Sequence, residues 1–104
     1  MNTSPKIHDL ISNIIFSNGL RIESLLIYEN RMLIFLNTKQ VLIDSIENHE
    51  RLKNATLEQL NEFRLISKGM GIHWPALDED LSLYGFLTDY FTKNFQEQKE
   101  LVIA

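Results

Sequence analysis

Apolar side chains fall at Ile7, Leu10, Ile11, Ile14 and Ile15, a spacing of three and four that lines one side of a helix. The pattern predicts a helix over about residues 7–17, with Asn18-Gly19 as its stop. The same dipeptide is the favoured two-residue hairpin loop, so pairing of Ile14–Phe16 with Leu20–Ile22 is the rival reading; the helical stripe is preferred. From Leu20 to Asp44 the texture changes to short apolar and β-branched runs, Leu25–Tyr28, Met32–Leu36 and Val41–Ile43. Glu29-Asn30 and Asn37-Thr38-Lys39 punctuate them, which predicts a three-stranded antiparallel meander.

Further along, Asp44 with Glu47 and Thr56 with Gln59 have the spacing of capping boxes, and predict two short helices, the first reaching Leu52. Phe63–Ser67 and Met70–Trp74, joined at Lys68-Gly69, predict a second hairpin. After Pro75 and the acidic run Asp78-Glu79-Asp80, a helical stripe of Leu83, Phe86, Leu87, Tyr90, Phe91 and Phe95 predicts a C-terminal helix. The expected fold is α+β: about five antiparallel strands, a meander plus a hairpin, with short helices on one face and a C-terminal helix. No repeat, low-complexity tract or Pro/Gly/Ser linker divides the chain, so residues 1–104 are expected to form a single domain, its C-terminal helix and tail at about 82–104.

Composition narrows the chemistry. Hydrophobic residues make up 44% of the chain and charged ones 23%, ordinary globular proportions. With no cysteine, disulfides, thiolate metal sites and cysteine nucleophiles are excluded. The first residues lack a basic-then-apolar leader and no apolar run approaches the ~18 residues of a membrane span, so a cytoplasmic protein is expected. The net charge is −4; residues 1–73 carry eight basic and eight acidic side chains, so the excess lies in residues 74–104, with two basic and six acidic. That balance argues against binding a phosphate backbone.

Candidate chemistry concentrates in Gly71–Ser82, which holds the chain's single Trp, a His and three carboxylates. Asp78 and Asp80, two apart, share one side of an extended segment and would be oxygen ligands for a hard cation, with His73 as an alternative general base. The plainer reading has Asp78, Glu79 and Asp80 accepting the free N–H groups at the start of the last helix, each contributing ~0.3–2 kcal/mol. Trp74 before Pro75 reads as the anchor of a strand end, with ligand stacking as the rival. His8 and His49 have no triad or ligand partners at a recognisable spacing and read as surface or satisfied histidines. No phosphate loop, nucleophile elbow or His-Glu-x-x-His helix occurs, and no cofactor is implied. Phe91 and Phe95, with Leu101, Val102 and Ile103 beyond the densest part of the stripe, form a candidate interface for another protein or a second copy.

Glu50-Arg51-Leu52-Lys53-Asn54-Ala55-Thr56, and Gly71-Ile72-His73-Trp74-Pro75 followed by Leu77-Asp78-Glu79-Asp80-Leu81-Ser82, resemble the bacterial domain-of-unknown-function family 2442 in both blocks and in the spacing between them. The likeness covers about residues 20–87. It implies small prokaryotic α+β proteins without an established activity, often encoded beside another small protein in arrangements that look like toxin and antitoxin pairs. Two departures stand out. Ser67-Lys68-Gly69-Met70-Gly71 replaces a more glycine-rich hairpin, and Tyr84 stands where an acidic residue is common, so no role of that acid transfers.

A non-enzymatic interaction module, antitoxin-like within a two-protein unit, is the leading reading; the acidic C-terminal third suits a basic partner. The alternative is a small metal-dependent or acid/base enzyme centred on His73, Asp78 and Asp80. A nucleic-acid-binding regulator is third and would need Arg51, Lys53 and Arg64 to face one way.

Overall fold

A computed structural model of the protein describes the backbone of residues 7–103 and the side chains of residues 9–94. Helix α1 (Ile7–Asn18) buries Ile11 and Ile15 and stops where Gly19 turns left-handed, at φ 59°. The Leu20 N–H then donates to the Ile15 carbonyl at 2.9 Å, satisfying a carbonyl that the ended helix leaves open. The helical stripe therefore prevails over the hairpin reading.

The meander forms as expected, from β1 (Ile22–Tyr28), β2 (Arg31–Leu36) and β3 (Val41–Ser45), paired antiparallel in that order. Glu29 and Asn30 join β1 to β2 with positive φ at both positions, 46° and 64°, the turn whose twist matches that of the flanking strands. A register shift at Glu23 lets Ile22 and Leu25, three apart, both point inward.

Asp44 does not begin a helix. It lies in β3 with its side chain buried, and Ser45 instead caps a single 3₁₀ turn (Ile46–Asn48) by accepting from the Glu47 N–H. The second box holds: Thr56 and Gln59 exchange side-chain and backbone hydrogen bonds at the start of α2 (Leu57–Asn61).

The largest correction concerns the sheet. Beyond β4 (Arg64–Ile66) and β5 (Gly71–Trp74) runs β6 (Glu79–Ser82), and the six strands divide into two three-stranded antiparallel sheets instead of one of about five. Acidic residues are weak strand formers, but the open edge of β5 offers hydrogen-bond partners that no local propensity records, pairing Trp74 with Glu79 and Ile72 with Leu81. The last helix, α3 (Leu83–Ile103), begins only after β6, where Leu83 N–H donates to the Met70 carbonyl at 2.8 Å. One core joins both sheets to α1 and α3, and includes Met32, Ile34, Leu36, Ile72, Trp74 and Leu83. Among the described residues no helix is long and apolar enough to cross a membrane.

The β4–β5 connection is unusual, since Ser67, Lys68 and Gly69 all have positive φ, at 52°, 55° and 89°. Only Gly takes such angles freely, so the two side-chain-bearing residues occupy positions where glycine fits better, in keeping with the glycine-rich hairpin of the resembled family. At Gly69 the constraint is also steric: a Cβ there would meet the Ile22 carbonyl oxygen at 2.6 Å. Opposite outcomes are expected at adjacent positions. Lys68→Gly should raise stability by about 0.5–1 kcal/mol, and Gly69→Ala should lower it by about 2 kcal/mol or more. Urea unfolding of both variants measures this, and a Gly69→Ala midpoint equal to that of the parent would refute the close approach.

Candidate functional site

Three places combine exposure or burial with side-chain chemistry. The first is the polar face of the second sheet, where register places Arg64, His73 and Asp80 side by side across β4, β5 and β6. His73 Nδ1 and an Asp80 carboxylate oxygen are hydrogen-bonded. Asp78 takes no part in this row. It is the left-handed residue after the turn Pro75–Leu77, and Arg51 holds it by donating to its carbonyl at 2.6 Å and to its carboxylate at 3.1 Å. Arg51 thereby ties together the two sequence blocks that carry the family resemblance.

None of the three carboxylates caps α3, against expectation. Ser82 does so, its hydroxyl accepting from the Gly85 N–H at 2.9 Å, while Glu79 accepts from the Asp80 N–H inside β6. The acidic run reads as a helix lead-in only if β6 is overlooked. Among the described residues no three His, Asp or Glu side chains stand close enough to share a metal ion. Trp74 is fully buried, its indole N–H donating to the Leu60 carbonyl at 2.9 Å and its ring set against Phe63. It has no surface left for a stacked ligand. Of the candidate basic cluster, Arg51 is engaged with Asp78 and Lys53 pairs with Glu50 at 3.1 Å.

In the second place His49 is the satisfied histidine that the sequence suggested, but its partner was expected only as a helix cap. Asp44 on β3 meets His49 Nε2 at 2.6 Å and accepts from the Asn48 side-chain amide at 2.8 Å, with both Asp44 and His49 largely buried. Phe86 of α3 presents its ring edge-on to His49. One cleft is lined by Asp44, Asp89, Tyr90 and Lys93, and another, which shares Phe86 and Asp89 with it, by His49, Asp80 and Tyr84. Burial by itself would raise the Asp44 pKa, but hydrogen bonds from His49 and Asn48 and the charges of His49 and Lys93 outweigh it and hold the carboxyl below its ordinary value. The pair joins the end of β3 to the turn that follows. A spacing of five residues across a strand end carries no motif, and the helix expected there would have set the two side chains on different faces.

The third place is the outer face of the meander. Its nine positions form three rows: Ser24–Phe35–Val41, Leu26–Leu33–Ile43 and Tyr28–Arg31–Ser45. Six are apolar or aromatic, and Leu26, Tyr28, Val41 and Ile43 are 49%, 60%, 40% and 63% exposed. A sequence signal for it did exist, because the strands run as near-continuous apolar stretches and do not alternate, which is the texture of strands covered on both faces. The candidate interface in the last helix fares differently. Phe91 is partly buried against the core, and Phe95, Leu101, Val102 and Ile103 have side chains outside the described residues.

A family model described as Protein of unknown function (DUF2442) matches residues 14–91. Among solved structures, the chain is similar to a protein of unknown function from Rhodospirillum rubrum, at 25% identity and a TM-score of 0.62, covering 67% of this chain and 87% of that one. It is also similar in fold to an uncharacterised protein from Chromobacterium violaceum, at 21% identity and a TM-score of 0.62, covering 85% of each chain. No curated protein matches it.

The Asp44 arrangement makes a signed claim about pH. A carboxyl whose pKa is lower folded than unfolded contributes stability that is present above the unfolded value, 3.8, and is lost as pH falls from there through the folded value. Asp44→Ala is expected to cost about 2–3 kcal/mol at pH 7, and markedly less near pH 3. Urea midpoints of both proteins at the two pH values measure the difference; an equal gap at pH 7 and pH 3 would show that ionisation of Asp44 contributes nothing.

Proposed function

The chain belongs to the DUF2442 family of proteins of unknown function, and from that premise we propose that it is a protein-interaction module whose docking surface is the outer face of the β1–β2–β3 sheet. The observation that carries this reading is the block of six apolar and aromatic side chains on that face, four of them at least 40% exposed. A sheet face left in water normally alternates to polar residues, and a contiguous apolar patch of this kind marks a surface that another polypeptide covers. The second sheet provides the contrast within the same molecule: beside Ile66 and Gly71 its outer face carries the polar Arg64, His73, Asp80 and Ser82, with His73 bonded to Asp80 and Ser82 to the Gly85 N–H.

The finer role is that of the antitoxin-like member of a two-protein unit. It draws support from the six acidic against two basic side chains in residues 74–104 and from the paired arrangement that the family resemblance implies. In this reading the acidic third speeds encounter with a basic partner, and the apolar face supplies the burial that holds a complex together. An acid/base enzyme is the second reading, favoured by the hydrogen bond between His73 and Asp80. It lacks a nucleophile or third catalytic group at that row, since Asp78 is held by Arg51.

A photoreactive benzoylphenylalanine in place of Ile43, at the centre of the face, tests the docking reading in living cells. On irradiation it is expected to give a covalent adduct heavier than the 12.2 kDa chain, with another protein or with a copy of the chain. The same group in place of exposed Glu58 on α2 should give little. Equal or absent adducts at the two positions would overturn the assignment of the surface.

A further inference from the structure

We infer that Asn18-Gly19, at the junction of α1 and β1, is a self-modification site: the Asn18 side chain converts to aspartate and isoaspartate, at a rate that the fold controls. The inference is independent of the docking reading. The chain has nine asparagines, and Asn18 is the single one followed by glycine. Glycine lacks the Cβ that hinders a backbone nitrogen from approaching the preceding side chain. Both residues are exposed, and the space where a Gly19 Cβ would stand is open.

The reaction needs water and no other partner. The Gly19 backbone nitrogen gives up its proton to solvent and attacks the Asn18 Cγ. A C–N bond forms there, the Cγ–Nδ2 bond breaks, and ammonia leaves with a proton taken from solvent. The product is a five-membered succinimide. Water then adds to one of its two carbonyls. Cleavage of the new Cγ–N bond gives aspartate, and cleavage of the original backbone C–N bond gives isoaspartate, in which the main chain runs through Cβ and Cγ.

The fold holds the reacting groups apart. Asn18 Nδ2 donates to the Ile14 carbonyl at 2.9 Å, which folds the side chain back along the last turn of α1 and away from the Gly19 nitrogen. Asn37 clamps the other side of the junction. Its Nδ2 donates to the Gly19 carbonyl and its Oδ1 accepts from the Arg21 N–H, both at 2.9 Å. The Leu20 N–H, donating to the Ile15 carbonyl, closes the turn. Attack therefore requires the last turn of α1 and the Gly19 peptide to open locally, and Asn37, 18 residues from Gly19 in sequence, limits that opening.

Conversion weakens the junction that delayed it. A carboxylate cannot donate to the Ile14 carbonyl, and it brings negative charge to the helix end where the macrodipole is already negative. Isoaspartate also lengthens the main chain between α1 and Leu20, which is buried in the same core as Ile11 and Ile15. The modified chain is thus a less stable form, with one more negative charge than the −4 of the sequence.

Peptide mapping by mass spectrometry, with isoaspartate scored by isoaspartyl methyltransferase labelling, tests this on the full chain held at pH 8. The folded parent is expected to accumulate aspartate and isoaspartate at position 18, more slowly than the same chain unfolded in urea. Asn37→Ala, still folded, is expected to convert ~5-fold faster or more, since each of two lost hydrogen bonds shifts local opening by roughly two- to tenfold. Ser82→Ala removes the hydroxyl that caps α3 and leaves the junction intact, so its rate is expected to match the parent's. If Asn37→Ala fails to fold, Asn37→Asp, which keeps the acceptor for the Arg21 N–H and loses the donor to Gly19, serves the same comparison. Three results would overturn the inference: no conversion in the folded parent while the unfolded chain is consumed, equal rates in the folded and unfolded parent, or equal acceleration by the Asn37 and Ser82 variants.

Discussion

The indole of Trp74 is the constraint around which the rest of the fold is arranged. It fills the space between the second sheet and α2, and its N–H donates to the Leu60 carbonyl near the end of that short helix. A five-residue helix has too few internal hydrogen bonds to stand alone. Its Thr56–Gln59 cap secures one end, and the buried indole secures the other. Phe63 packs on the same ring and leads directly into β4, so α2, β4 and β5 share one anchor. Pro75 then turns the chain away from β5, and Arg51 grips the left-handed Asp78 so that Glu79–Ser82 returns as β6. The start of α3 follows from that return, because Leu83 reaches the Met70 carbonyl only once β6 is paired. A change at Trp74 therefore acts on helix, sheet and C-terminal helix together.

The two sheets solve the problem of an outer face in different ways. In the second, the row of Arg64, His73 and Asp80 meets solvent and the His73–Asp80 hydrogen bond satisfies itself locally. In the first, the polar chemistry lies inside: Asp44 is turned to the core side and is matched there by His49 and Asn48, while the outside is apolar. A buried carboxylate is tolerated because both of its oxygens find donors. Leu26, Tyr28, Val41 and Ile43 on the outer face have no comparable local remedy and stay exposed. The two sheets thus differ in kind: the outer face of the first is mainly apolar, whereas the His and Asp side chains of His49–Asp44 and His73–Asp80 are paired with one another.

Much of this was legible in the residues. The stripe of α1, the meander with its Glu29-Asn30 turn, the Thr56–Gln59 cap and the hairpin leading to Trp74 all follow from local chemistry: turn angles, spacing of apolar positions, and side chains that bond to nearby backbone. The family could be recognised from the Arg51 and His73–Ser82 blocks. Where the reading failed, the deciding partner was remote or unfavoured by propensity. Asp44 and Glu47 have the spacing of a capping box, yet pairing with β2 takes Asp44 into a strand, with Met32 opposite. Asp78-Glu79-Asp80 look like a helix lead-in, yet β5 draws Glu79 and Asp80 into its edge.

The sequence by itself determined the helix α1, the three extended runs of the meander, the capped α2, the absence of thiol chemistry, the acidic C-terminal third and the membership of a family, because each of these depends on residue type and on neighbours a few positions away. Only the tertiary structure decided that six strands split into two sheets, that Arg51 and Asp78, 27 residues apart, lock the two family blocks together, and that His49 finds Asp44. It also decided which faces of the strands meet water. Alternation tells inside from outside only when the two faces differ in polarity; in the meander both are largely apolar, so which face is buried and which is left exposed depends on where α1, α3 and the second sheet pack.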